Sequence, residues 1–244
     1  MFDFDTETGE IWIHDDIGPA WWGMIDSELV KDALRALDGK HAVVRLNTPG
    51  GSVDHGIAIF NMLREYRGGV TTIVDSLAAS MGSYLLQAGE RRIASTNSMV
   101  MIHDPWSIAL GNSAEMRKQA DILDKYAARM LPEYAERSGK TTEDVAALMA
   151  EESWYAGQEI VDAGFADEIQ SPARGHTYAP VVGHQLPRFA RNMPEQLKAA
   201  AKKEVKRGEK TAEKRQPTRA EFQKQIAAKT ETGELPPSVI GARW

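Results

Sequence analysis

Residues 74 to 89 read VDSLAASMGSYLLQAG: the end of a β-branched run, one serine, Ser80, between two alanines and a Met-Gly pair, and then an apolar helical pattern. A strand that passes into a helix through such small residues has the spacing A-x-S-x-G, close to the G-x-S-x-G turn that leaves a serine hydroxyl exposed at a sharp bend. The first amides of the following helix are unpaired and lie at its positive dipole end, facing whatever that hydroxyl meets. Taken alone, the stretch fits a plainer reading better, an N-capping serine among packing alanines.

Outward from it, strand-like and helix-like segments alternate. Before it come "EIWIH" (10 to 14), the helical "SELVKDALRAL" (27 to 37), the strand "AVVRL" (42 to 46), a helix from about Ser52 to Arg67 and the strand "VTTIV" (70 to 74). After it come two short strands, "RIAS" and "SMVMI". This is α/β patterning and predicts a mostly parallel sheet covered by helices. A long helix is expected from Ser113 to Ser138, with a heptad-like stripe of Met116, Ala120, Leu123, Ala127, Met130 and Tyr134. The stripe fits either core packing or an inter-subunit arm. Pro132 is expected to kink that helix or fray its last turns. "SGKTTEDVAALMAEE" then gives a glycine stop and a second helix capped near Thr141 or Thr142.

Length and composition bound the function classes. The 244 residues allow one substantial core plus an appendage, and 42% apolar residues without a long apolar run predict no membrane span. The start "MFDFDTETGEIW" has no secretory-signal pattern, so a cytoplasmic location is expected. With no cysteine in the chain, disulfides, thiolate nucleophiles and thiolate metal sites are excluded together. The net charge of −6 is divided: residues 171 to 244 hold 15 Lys and Arg against 7 Glu, leaving 14 basic and 28 acidic residues in the first 170. That split predicts a domain over 1–170, a Pro- and Gly-containing linker over 171–194 and a basic, helix-prone, partly disordered tail over 195–244.

A serine hydroxyl needs a base, an orienter for that base and donors for the developing oxyanion. His103, in "MIHDP" at the end of "SMVMI", is the best-placed base, because strand ends open into a crevice. His14, His41 and His55 sit by early elements, and His176 and His184 fall in the expected linker. "NTPGGSV" (47 to 53) presents bare backbone amides at a helix start, an anion site by construction. A phosphate cradle is the rival reading, but no Lys follows the glycines as a P-loop requires, so an oxyanion hole fits better.

In order and spacing, "LNTPGGSVDHGIAIFNML", "SLAASMGSYLLQAG", "SMVMIHDP" and "WYAGQEIVDAGFADEI" resemble the landmark segments of ClpP-type serine proteases over roughly residues 10 to 170. The resemblance implies a ClpP/crotonase-like ββα superhelical fold with a handle-like helix. It places the nucleophile on Ser80, the general base on His103 and the oxyanion donors on the backbones of Gly51 and Met81. The family's orienting aspartate falls on Glu152, one methylene longer, with Glu151 the adjacent alternative. It also implies a homo-oligomeric ring, a protein substrate and a reaction needing neither metal nor cofactor.

Only nine residues precede "EIWIH", so no segment for docking a ring ATPase is expected. That feature, "WWG", the glutamate and the basic tail more closely resemble the ClpP-related head maturation proteases of tailed phages and prophages, which process scaffold and capsid subunits in the prohead. The tail is then expected to meet an acidic assembly partner. The alternatives are an ATPase-dependent ClpP-type proteolytic subunit, a crotonase-type acyl-CoA enzyme, in which Ser80 would be structural, and a catalytically inactive assembly module.

Overall fold

Apolar residues at alternate positions put Ile11 and Ile13, Val44 and Leu46, and Val70 and Val74 on one face of a sheet, each at most 1% exposed. A computed structural model describes residues 1–171 of the chain. Its strands are β1 Phe2–Asp5, β2 Glu10–Ile13, β3 Ala42–Thr48, β4 Val70–Ala79, β5 Arg91–Ser95, β6 Met99–Ile102, β7 Ser153–Ala156 and β8 Glu168–Gln170. Its helices are α1 Ser27–Leu37, α2 Val53–Glu65, α3 Met81–Leu86, α4 Ser113–Ser138, α5 Thr142–Ala150 and α6 Gln158–Asp162, with a short 3-10 turn at Ala20–Trp22.

The main sheet has the order β1-β2-β3-β4-β5-β8, parallel throughout except for the antiparallel β1. Beyond Val74, β4 leaves β5 and takes a new parallel neighbour, β6, which in turn pairs antiparallel with β7. The sequence reading ends this strand at Val74, but it continues to Ala79 because β6 and the end of β3 supply partners for Leu77 to Ala79. The expected helix after Ser80 is correspondingly short, six residues.

Apolar stripes at helical spacing cover the buried face: Val30, Ala33, Leu34 and Leu37 from α1, and Ile59, Phe60 and Leu63 from α2. Caps fix where the helices begin. Asp26 accepts from the Leu29 amide, Ser52 from the His55 amide, Thr141 from the Asp144 amide, and Asn112 forms a capping box with Glu115. The opposite sheet face carries a buried polar network in which Asp75 accepts from Arg45 Nε and pairs with His14 Nε2, both at 3.0 Å.

Helix α4 runs from Ser113 to Ser138 as its stripe predicts, and it does not fray at Pro132. Its last turns are the anchored ones, with Met130, Tyr134 and Ala135 buried, and that burial offsets the backbone hydrogen bond that proline removes. Tyr134 packs edge-on against Tyr84 and Phe165, at centroid separations of 5.5 and 6.1 Å. Toward the other end, Met116 and Ala120 are exposed and Leu123 and Ala127 half-buried. Among the described residues no helix is long and apolar enough to cross a membrane. Apart from Ser171, the expected linker and basic tail lie outside the described residues.

Candidate active site

Three strands deliver three side chains to one corner. Strand β4 ends at Ala79, so Ser80 is the next residue; β6 ends at Ile102, so His103 follows it; Glu152 immediately precedes β7. The β6–β7 register runs from Met99↔Ala156 to Ile102↔Ser153, and His103 and Glu152 are the next residues beyond that last pair. The Ser80 amide donates to the Met101 carbonyl at 2.9 Å, which ties the end of β4 to β6. Ser80 Oγ then lies 2.8 Å from His103 Nε2. With the imidazole proton on Nδ1, Nε2 accepts from the hydroxyl, the arrangement a general base requires.

The backbone at this corner is strained. Among the described residues the non-glycine positions with positive φ are Ser80 and Glu152, both at 54°, and Asp38, the C-cap of α1. Such conformations cost about 1–3 kcal/mol each and persist only where neighbours over-determine them. At Ser80 the neighbours are explicit. Its carbonyl accepts from the amides of Ser83 and Tyr84 and from Ser83 Oγ at 2.6 Å, and the same Ser83 hydroxyl meets Tyr134 Oη at 2.7 Å. At Glu152 the amide donates to the Met149 carbonyl, and carboxylate Oε1 accepts the Trp154 indole N–H at 3.2 Å.

Burial holds His103 below the ordinary histidine range, partly opposed by the negative charges of Glu152 and Asp104. The imidazole is therefore neutral at neutral pH and free to take a proton. Glu152 is buried, whereas Glu151, the C-cap of α5, is exposed and one step further from the β6 ladder.

The glycine loop closes the corner on its other side. A β-carbon on Gly50 would stand 2.7 Å from Ser80 Cβ, and one on Gly51 would stand 2.0 Å from the Ile17 carbonyl oxygen. Both glycines have positive φ, 98° and 140°. Ile17 stitches the loop in place, donating to the Gly50 carbonyl at 2.7 Å and accepting from the Ser52 amide at 2.8 Å. Met81, which follows Ser80, is the first residue of α3, and a β-carbon on Gly50 would stand 2.8 Å from its amide nitrogen. A cavity of about 370 Å³ lies beside the loop, lined by Ile17, Pro19, Trp22, Met24, Gly50 and Gly51 among others.

The remaining histidines are engaged elsewhere: His14 with Asp75, His41 with Thr71 and the Gly68 carbonyl, His55 with Ser27. His176 and His184 lie outside the described residues. Sequence reasoning missed Ser83, Tyr134 and Trp154 as supports of the corner. Tyr134 was visible only as one member of the apolar stripe, and nothing in the pattern distinguished the other two.

A strand-end serine bonded to a histidine, with a glycine loop at its side, is the layout of a serine peptidase. Residues 26–173 match the family model described as Clp protease, and the chain belongs to that family of serine peptidases. It is 33% identical over 143 residues to the ATP-dependent Clp protease proteolytic subunit 1 of Leifsonia xyli subsp. xyli (strain CTCB07), covering 57% of this chain and 73% of that protein. It is 35% identical over 132 residues to the protein of the same name from Prochlorococcus marinus subsp. pastoris (strain CCMP1986 / NIES-2087 / MED4), covering 53% and 67%. The mixed α/β architecture agrees with a ClpP-like fold, and membership of this family sets aside the crotonase-type alternative.

Proposed function

We propose that the chain is a serine endopeptidase in which Ser80 is the nucleophile, His103 the general base, Glu152 the orienting acid, and the Gly51 and Met81 amides the oxyanion donors. The observation that carries this reading is the 2.8 Å contact between Ser80 Oγ and His103 Nε2 at a strained strand end. Ser80 Oγ attacks the scissile carbonyl carbon as its proton passes to His103 Nε2, and the two amides bind the resulting oxyanion. His103 returns the proton to the leaving amine, the C–N bond breaks, and an ester on Ser80 remains. Water gives a proton to the same imidazole as it attacks that ester; the imidazolium then protonates Ser80 Oγ as the acyl C–Oγ bond breaks, releasing the acid product and restoring the serine. Glu152 stabilises the imidazolium in both halves.

For the physiological role we favour maturation of a phage or prophage head, with scaffold and capsid subunits as substrates. The "WWG" segment, glutamate at the third position and the basic stretch over 171–244 support it. The subunits act as a homo-oligomeric ring, with the exposed part of α4 as a seam. A second reading is favoured by the relatives' names, a proteolytic subunit that works with an ATP-consuming partner.

A serine-reactive phosphonate followed by mass mapping tests the chemistry: label on Ser80 supports the peptidase, and a folded chain that takes no label supports an inactive assembly module. Cleavage of a scaffold protein without nucleotide or ATPase supports the maturation role; a requirement for an ATP-hydrolysing partner supports the second reading. Removing residues 171–244 should spare cleavage of a small peptide and reduce incorporation into proheads, with the lost binding sensitive to salt.

A further inference from the structure

Glu152 has one more side-chain torsion than an aspartate in its place, so its carboxylate has more positions to choose from. The β6–β7 ladder shows what limits that choice. Trp154 pairs across the strands with Met101, and Glu152 and His103 are the residues next beyond the last pair, Ile102↔Ser153. Glu152 leaves the ladder with a φ of 54°, and its negative charge acts on the His103 imidazole. The Trp154 indole N–H reaches Glu152 Oε1 at 3.2 Å, along the strand rather than across it.

We propose that Trp154 is a positioning residue of the peptidase: its indole N–H holds one oxygen of the Glu152 carboxylate and leaves the other for the His103 imidazole. This rests on the catalytic roles proposed above. An indole N–H donates and cannot accept, so the carboxylate oxygen is the acceptor in this contact. It also occupies one oxygen only. The groups facing His103 are then Ser80 on the substrate side, the anchored Glu152, and Asp104 next in sequence; the two carboxylates oppose the effect of burial on the imidazole. Phenylalanine at position 154 would fill much of the same space and donate nothing.

The test is Trp154→Phe in the full-length chain, assayed on a fluorogenic peptide across pH in the wild-type and Glu152→Gln backgrounds. The expected result is a fall in kcat of about tenfold, the low end for losing a hydrogen bond to a charged group, with KM within about twofold. The acid limb of kcat/KM moves to lower pH, because a carboxylate released from its anchor no longer supports the imidazolium. In the Glu152→Gln background the same substitution changes kcat less than about twofold. Full kcat with an unshifted acid limb overturns the proposal, as does an equal loss in both backgrounds, which would mark a role in folding alone. If Trp154→Phe does not fold, proton spectra of wild type and Glu152→Gln decide: one indole proton moving upfield on loss of the charge supports the anchor, and six unmoved ones overturn it. Should Glu152→Gln keep full activity, or Ser80 take no label, the catalytic assignment fails and the proposal falls with it. A silent Trp154→Phe beside a damaging Glu152→Gln removes the positioning role alone.

Discussion

The corner around Ser80 and the outer half of α4 are built on opposite terms. At the corner two residues sit in disfavoured backbone conformations, and each is held by hydrogen bonds from neighbouring elements. Along α4 the backbone is ordinary and well capped, yet none of its residues before Met130 is buried. The loop that leads from His103 to that helix is more exposed still, with Ile108 at 77% and Leu110 at 91%. Strain is tolerated where the fold leaves no alternative, whereas exposed apolar surface of this kind marks a place where another surface belongs. The first region is held by contacts within one chain; the second offers apolar surface suited to the rings that the Clp protease family forms.

The sharpest way to break the comparison is at Ser80. Ser80→Ala should lower peptide hydrolysis by a factor on the order of 10⁶, as loss of a triad nucleophile does, with a thermal midpoint close to that of the parent. Retained turnover in the folded variant would remove the corner's chemical meaning. Glu152→Gln comes next, with a fall in kcat on the order of 10³, while Glu151→Gln changes little. The reverse outcome would transfer the third role to the exposed neighbour.

The two ends of α4 can be set against each other directly. Met130→Ala removes a buried side chain and should cost about 2–5 kcal/mol in denaturant unfolding. Met116→Ala, at an exposed position, should stay within about 0.5 kcal/mol for the dissociated chain while weakening self-association in sedimentation. Equal costs at both positions would mean that the helix packs evenly and offers no seam.

The smallest effect expected is on pH. Because burial depresses the His103 imidazole, its charging in the folded chain requires a pH below the ordinary value of about 6.5. Activity should therefore persist below that pH, and its acid limb in kcat/KM should fall lower still in Glu152→Gln. The stability this histidine contributes has the matching sign: present above about 6.5, lost as pH falls toward the depressed value. An acid limb above the ordinary range would show that charge, not burial, dominates the corner.

How much of this could be read in advance depended on the range of the interactions. The boundaries of α1 and α4 follow from local signals, a cap at one end and a stripe that stops at the other, and both match the sequence reading. Strand β1 was missed, although "FDFD" alternates with period two, because four residues with two aspartates carry little signal without β2 beside them. The far half of β4 was missed because Asp75 breaks the apolar run, and its partners Arg45 and His14 are 30 and 61 residues away. Ser80, His103 and the glycine loop were legible as motifs in order. The preference for Glu152 over Glu151 was not, since it rests on the burial of one and exposure of the other beside the end of the β6–β7 ladder, which segments distant in sequence create.

The glycine loop has a consequence for inheritance. Any replacement of Gly50 or Gly51 brings a β-carbon into the Ser80 turn or onto the Ile17 carbonyl, so neither codon can drift to another amino acid without displacing backbone. The loop is thus closed as a source of variety among descendants of this chain. Trp22 and Met24, which line the cavity beside it, can change by side chain alone, so variation at this corner is open to the cavity wall and closed to the loop.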